Sequence, residues 1–261
     1  AGRPNVEPLY TVADAMRVPE FLQTCEYHQT VDVCEGVKAT FIDAGHLLGS
    51  ASILMELTEG GEKRNIVFSG DIGNVDQPII RDPQFFGGAD YVVMESTYGN
   101  RNHTEVWSYT DDLAQIIDET LGRGGNVVIP SFAVGRTQEL LYFIREIKDR
   151  HLVTSVQDFP VYVDSPLAKS ATRIFCGDLR GYLDEEALAL VQDGTHMFNF
   201  PGLHLTESVE ESKLLNMDGT PKVIISASGM CDAGRIRHHL KYNLWRADSA
   251  VVLSLIHISE P

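Results

Sequence analysis

The sequence predicts an α/β protein in two parts, and three observations carry that expectation. Between Val37 and Asp90, short apolar or alternating runs are punctuated by glycine, the pattern of strands joined by tight links. Beyond about residue 105 the texture changes to longer amphipathic stretches alternating with short apolar runs, as helices and strands do around a parallel sheet. A hydrophobic content of 43% over 261 residues can bury one large core or two smaller ones.

In chain order, Thr11 followed by Val12, Ala13 and Asp14 has the form of an N-cap with an acid at the third helical position. It opens a short helix that Pro19 interrupts. Strands are predicted over 38–43, 52–58 and 65–69, then an Asp-, Pro- and Gly-rich loop over 72–88 and a strand over 91–94. Tyr109, Leu113, Ile116, Ile117 and Leu121 fall on one helical face. Strand 126–129, helix 135–150, strand 161–163 and a helix from Pro166 follow, then strand 222–226, helix 235–244 and a strand beginning at 250–252. A boundary near residue 105 divides the chain into 1–104 and 105–252. Residues 253–261, LSLIHISEP, fit no helix or strand pattern and resemble a translated sequencing adapter, so they are read as a scar, His257 included.

Composition narrows the function classes. No apolar run approaches the roughly 20 residues of a membrane-spanning helix, and residues 1–20 lack the basic start and apolar centre of a signal peptide. Cys25, Cys34, Cys176 and Cys231 are widely spaced and form no C-x-x-C pair, so a cytoplasmic protein without membrane contact is expected. The formal net charge of −16 argues against holding nucleic acid by diffuse basic charge, so any such contact must be local.

Three predicted strands end in a residue suited to metal or proton chemistry: His46 after Asp43-Ala44-Gly45, Asp71 after Ser69-Gly70, and Glu95 after Met94. If the strands lie in like orientation, these groups meet at one sheet edge, where imidazole and carboxylate with water suit Zn²⁺. A carboxylate set between two metals can bridge them in phosphoryl transfer. Each motif alone is also an ordinary turn after a strand.

The second half offers helix starts beside hydroxyl and basic groups, an arrangement that attracts anions. Ser131 and Arg136 flank one, Ser165 and Lys169 a second, and Ser228 and Arg235 a third. Each is equally a capped helix with no ligand. Neither a P-loop nor a G-x-G-x-x-G spacing occurs. His103, in a loop near Glu95, is a further candidate for the site. His28, His151, His196 and His204 lie outside any constellation, and the adjacent His238 and His239 point in different directions along a helix.

The segments Ala44 to Ala51, Ser69 to Gly73 and Glu95 to Gly99 resemble the third and fourth metal motifs of the metallo-β-lactamase fold and the first β-CASP motif. Pro130 to Glu139, Asp164 to Ala168 and Ser226 to His239 are similar to the β-CASP region of RNA nucleases, so the resemblance spans about residues 8–252. It implies a partial αββα metallo-β-lactamase sandwich over 1–104, then a β-CASP α/β domain with a mainly parallel sheet over 105–252. It further implies a zinc-dependent ribonuclease, with two zinc ions in the full-length parent, acting on single-stranded RNA; a homodimer is allowed. His46 would ligate zinc, Asp71 would bridge, and Glu95 would orient a histidine proton donor. Ser131, Arg136, Ser165, Lys169, Ser228 and Arg235 are the implied substrate contacts.

The family's His-x-His-x-Asp-His motif and its later Gly-Thr-Leu-Gly-Arg segment do not occur in this sequence. The expectation is therefore a chain truncated at both ends, holding two ligands of a larger set and inactive alone. A non-catalytic RNA-binding or assembly subunit and a small-ester metallo-hydrolase are the alternatives.

Overall fold

A computed structural model describes residues 8–100, 109–177, 179, 181–193 and 196–253. The expected domain boundary near 105, His103 and all but the first residue of the 253–261 segment lie outside them.

Thr11 caps α1 (Val12–Arg17) through a capping box with Asp14, and Val18–Phe21 continues as one 3-10 turn because Pro19 cannot extend the α-helical ladder. Strands β1 (Thr30–Cys34), β2 (Val37–Asp43), β3 (Ala51–Glu59), β4 (Glu62–Phe68) and β5 (Tyr91–Val93) form a sheet in that order. The pairs from β1 to β4 are antiparallel, and β5 joins β4 in parallel. β1 was not expected from the sequence: it is an exposed edge strand whose apolar positions face no core. Every residue of β5 is exposed, so among the described residues neither of its faces is covered.

The second sheet has the order β10-β6-β9-β7-β8, and all its pairs are parallel. Its members are β6 (Val127–Pro130), β7 (Val161–Val163), β8 (Leu203–Leu205), β9 (Val223–Ser226) and β10 (Ala250–Val251). Every residue of β6 and β9 is buried, which explains their unbroken apolar runs: parallel strands covered on both faces do not alternate. Around them lie α2 (Tyr109–Gly122), α3 (Arg136–Asp149), α4 (Pro166–Phe175), α5 (Glu185–Gln192), α6 (Val209–Met217) and α7 (Ile236–Asn243).

The main core belongs to this second layer. Leu113, Ile117 and Leu121 of α2 pack with Leu141, Ile144 and Ile147 of α3 over Val127 and Ile129. Tyr109, expected on the same face, is half exposed and stacks instead on Phe143. The loop after β4 is irregular, as expected, yet it inserts Ile79 and Ile80 into this core, and Ile80 bridges to Leu183. Arg81 donates from its Nε to Leu183 O, and Tyr27 meets Tyr182 edge-on, so the two layers are joined here.

α5, β8 and α6 escaped the sequence reading because they are short and β8 is only half covered. A signal for α6 was present nonetheless: Ser208 and Glu211 form a capping box.

Candidate functional site

The geometry begins with strand direction. β3 reverses between β2 and β4, and β5 runs with β4, so β2, β4 and β5 all finish at one edge of the first sheet. The loops that follow carry His46, Asp71 and Glu95, and they are bonded to one another. Gly73 donates its N–H to Ala44 O at 2.9 Å, and Ser69 donates to Val93 O at 3.0 Å. Glu95 donates its N–H to Ser69 Oγ at 3.0 Å, while Ile72 donates its N–H to Glu95 Oε1 at 2.7 Å. A Cβ added to Gly73 would lie 1.6 Å from Gly45 O, so this approach of two loops tolerates only glycine.

Within the first loop, Ser50 Oγ accepts the N–H groups of both His46 and Leu47 at 3.1 Å. The buried carboxylate of Asp43 accepts the N–H of Gly45 at 2.9 Å. Burial pushes the Asp43 carboxyl above its ordinary value, against the lowering effect of that N–H and of Arg81. His46 is half-buried, Glu95 is half-buried, and Asp71 is exposed.

Burial alone would raise the Glu95 carboxyl, but the Ile72 N–H, the Thr97 hydroxyl and nearby His46 outweigh it and hold it below the usual value. The Glu95 carboxylate accepts from the Ile72 N–H and from the hydroxyl and N–H of Thr97, and with about four acceptor positions it retains capacity for another donor.

The second layer reaches the same place from the other side. α3 starts at Gly135, whose backbone Leu47 approaches so closely that a Cβ there would lie 2.3 Å from Leu47 Cδ2. Glu139, one turn into α3, bonds Arg136 Nη1 at 2.5 Å. Burial raises its carboxyl above the ordinary range, although Arg136 and His46 both favour the ionised form. His46 thus lies within electrostatic reach of a carboxylate from each layer.

The helix-start residues are placed less uniformly. Ser131, expected among the substrate contacts, is fully buried and bonds Thr137 Oγ1 at 3.1 Å, which leaves it no surface to offer a ligand. Ser165 is buried and caps α4 by accepting the Ala168 N–H. Ser228 donates to Asp232 Oδ1 at 2.6 Å. The basic groups are engaged as well: Arg136 with Glu139, Lys169 with Glu207, and Arg235 with Asp164 Oδ1 at 2.7 Å.

Asp164 is the residue that spacing did not single out. At the end of β7 and fully buried, it receives Arg235, the Thr206 and Ser212 hydroxyls, and His239 Nε2 at 2.7 Å. His239 in turn bonds Asn216 Oδ1 through Nδ1 at 2.9 Å. Burial would raise the Asp164 carboxyl, yet these bonds together hold it well below the carboxylate range.

Among the described residues, no group of three or more His, Cys, Asp and Glu is disposed to hold a metal ion. His46 and Asp71 are two donors, and a structural or catalytic zinc takes three or four ligands from the protein. The described residues by themselves therefore do not fit a zinc centre.

Comparison with known proteins now bears on this arrangement. A family model for the Beta-Casp domain matches residues 137–255. The chain is 35% identical over 246 residues to Ribonuclease TTHA0252 of Thermus thermophilus, covering 94% of this chain and 54% of that protein. It is 30% identical over 241 residues to the RNase J-like protein of Methanocaldococcus jannaschii, covering 91% and 53% respectively. With Endoribonuclease YSH1 of Eremothecium gossypii it shares 28% identity over 243 residues, 92% of this chain and 30% of the relative. The chain thus spans about half the length, or less, of these relatives.

A glycine-stitched imidazole and carboxylate rim on one sheet, met by the helix starts of a parallel α/β layer, defines a metallo-β-lactamase-type layer joined to a β-CASP layer. Residues 137–255 carry the Beta-Casp domain, and the chain as a whole is similar to the ribonucleases named above.

Proposed function

We propose that this chain is the part of a zinc-dependent ribonuclease that presents His46, Asp71 and Glu95 to the scissile phosphodiester of single-stranded RNA. The observation that supports it most is the bonded convergence of the three loops, with Ile72 N–H on Glu95 and Gly73 N–H on Ala44 O. In this reading His46 and Asp71 are two of the metal donors, the remainder lying outside the described residues. Asp71 suits that role because its carboxylate is exposed at the rim.

Glu95 serves as the carboxylate that orients a proton donor toward the leaving oxygen. Its ionised state is secured by Ile72 N–H and Thr97, and its spare acceptor capacity suits an imidazole. The Gly135–Leu47 approach sets the β-CASP layer against the His46 loop and fixes the width of the cleft. Arg136, Ser165, Lys169, Ser228 and Arg235 belong to the substrate side in this proposal. Ser131 supports the α3 start from within. Cys25, Cys34, Cys176 and Cys231 are free thiols, which suits a reducing cytoplasm.

The test is cleavage of labelled single-stranded RNA by the full-length protein. Asp71→Ala and exhaustive chelation are each expected to abolish cleavage, and Glu95→Gln to slow it by about 100-fold or more. Cleavage that survives both metal removal and Asp71→Ala rejects the proposal. RNA binding without cleavage in the metal-loaded wild type favours the non-catalytic subunit instead.

A further inference from the structure

The cations of this acidic chain are mostly committed. Arg136, Lys169 and Arg235 each face a carboxylate, as do Arg145, Arg150, Lys222 and Arg246. Among the described residues, Lys63 and Lys213 stand singly without a partner, and α7 carries a cluster of such groups. Its side chains Arg237, His238 and Lys241 are exposed and make no hydrogen bond or ion pair with any described residue. Asp232 lies near enough for the Arg237 charge to favour its ionised form, but the two make no ion pair, and Asp232 Oδ1 accepts the Ser228 hydroxyl.

Helical spacing places these groups together. Arg237 and Lys241 are four residues apart, and Lys241 is three from His238, so they are neighbours on one face. The opposite face holds Ile236, His239 and Asn243, all buried. The exposed face borders a cavity of about 340 Å³ lined by Gly234, Arg237, His238 and Lys241. Two exposed aromatic residues follow Lys241 in the chain: Tyr242 within the helix, 46% exposed, and Trp245 in the turn beyond, 77% exposed. Tyr242, Leu244 and Trp245 together leave a run of exposed apolar side chains at this end of the helix.

The position also matters. α7 follows β9, and α3 follows β6; these strands are parallel neighbours, so both helices are reached from the same edge of the sheet. The start of α7, with Arg237, lies toward the edge where Leu47 meets Gly135, while its far end, with Tyr242 and Trp245, leads to β10 beside the start of β6 at the opposite edge, so the face runs away from the rim along the side of the sheet.

We infer that the exposed face of α7 is a contact site for the backbone of single-stranded RNA, with Arg237, His238 and Lys241 on phosphates and Tyr242 and Trp245 stacking on bases. Uncommitted cations beside exposed rings are the combination that single strands use: charge tracks the backbone, and any base offers a face to stack. The inference rests on the RNA reading for the class of ligand. It differs from it in placing the uncommitted charge away from the residues that surround His46.

The test is fluorescence anisotropy with a short labelled oligouridylate and the full-length protein over a salt series. Arg237→Ala with Lys241→Ala is expected to weaken binding and to lower the slope of log affinity against log salt by about 1.4, since each single-strand phosphate contact contributes about 0.7. Trp245→Ala is expected to weaken binding roughly 5- to 100-fold with the slope unchanged. These side chains are exposed, and a matching circular dichroism spectrum verifies the fold of each variant. Wild-type affinity and slope in both variants overturn the inference while leaving the RNA reading intact. No oligouridylate binding by the wild type itself overturns both. A dimer in sedimentation that Trp245→Ala converts to monomer, at unchanged RNA affinity, assigns the face to a second copy of the chain and also overturns the inference.

Discussion

Asp164 shows how much of this molecule is set by single buried side chains. Its carboxylate, with no exposed surface, joins Arg235 and His239 of the α7 region to the end of β7, and Ser212 ties α6 to the same point. Removing the charge takes the counter-charge from a partly exposed guanidinium and breaks the bond to a buried imidazole, so Asp164→Asn is expected to destabilise the fold by about 2–4 kcal/mol at neutral pH. The group's folded value is depressed, whereas the unfolded carboxyl titrates near about 3.9. The stabilisation is therefore complete above about pH 4 and is lost as pH falls further toward the folded value. Urea denaturation of wild type and variant across that range measures it: the gap between their midpoints should be widest at neutral pH and shrink below about pH 4. A gap that stays constant through acid contradicts the assignment. Spacing could not reveal this cluster. His239 sits 75 positions from Asp164, and adjacency to His238 only says that the two rings point apart.

At the scale of elements, pattern and structure agree where burial is one-sided or complete. β2, β3, β6, β7 and β9 lie where apolar runs placed them, because both alternation and unbroken burial leave a mark in sequence. The like orientation of β2, β4 and β5 was the condition on which His46, Asp71 and Glu95 could meet, and the pairing supplies it. Elements with little burial left no such mark, as β1, β8 and α5 show. What sequence did not disclose is the close contact of Gly73 with Gly45, which depends on two loops brought together by the sheet. Gly73→Ala places a methyl group against backbone rather than against a flexible side chain. It is expected to cost about 1–3 kcal/mol or more and to displace the His46 loop. Thermal melting and RNA cleavage of the full-length variant read the two effects. A variant that melts and cleaves like wild type contradicts the account of the rim.

Across the whole molecule, the two layers differ in how completely they are covered. The parallel sheet is wrapped by helices and holds the principal core, whereas β5 of the first sheet presents Tyr91, Val92 and Val93 to solvent. Ile79 and Ile80 join the layers from below, and Leu47 against Gly135 joins them at the rim, so the position of the second layer is set at both points. A net charge of −16 is compatible with RNA recognition only if local cations remain uncommitted, and among the described residues α7 is where they cluster. The candidate helix starts were legible as motifs, but which of their charges is neutralised internally is a tertiary fact. Asp164 and Glu207 arrive from elsewhere in the fold to pair with Arg235 and Lys169, whereas Glu139 pairs with Arg136 locally, three residues further along α3.

The central claim is that the rim bearing His46 and Asp71 supplies donors to a catalytic zinc site in the full-length protein. Anomalous diffraction at the zinc edge from crystals of that protein tests it most directly. The account predicts metal density coordinated by the His46 imidazole and the Asp71 carboxylate, with Glu95 alongside. Zinc density elsewhere, with both side chains turned away from it, contradicts the account.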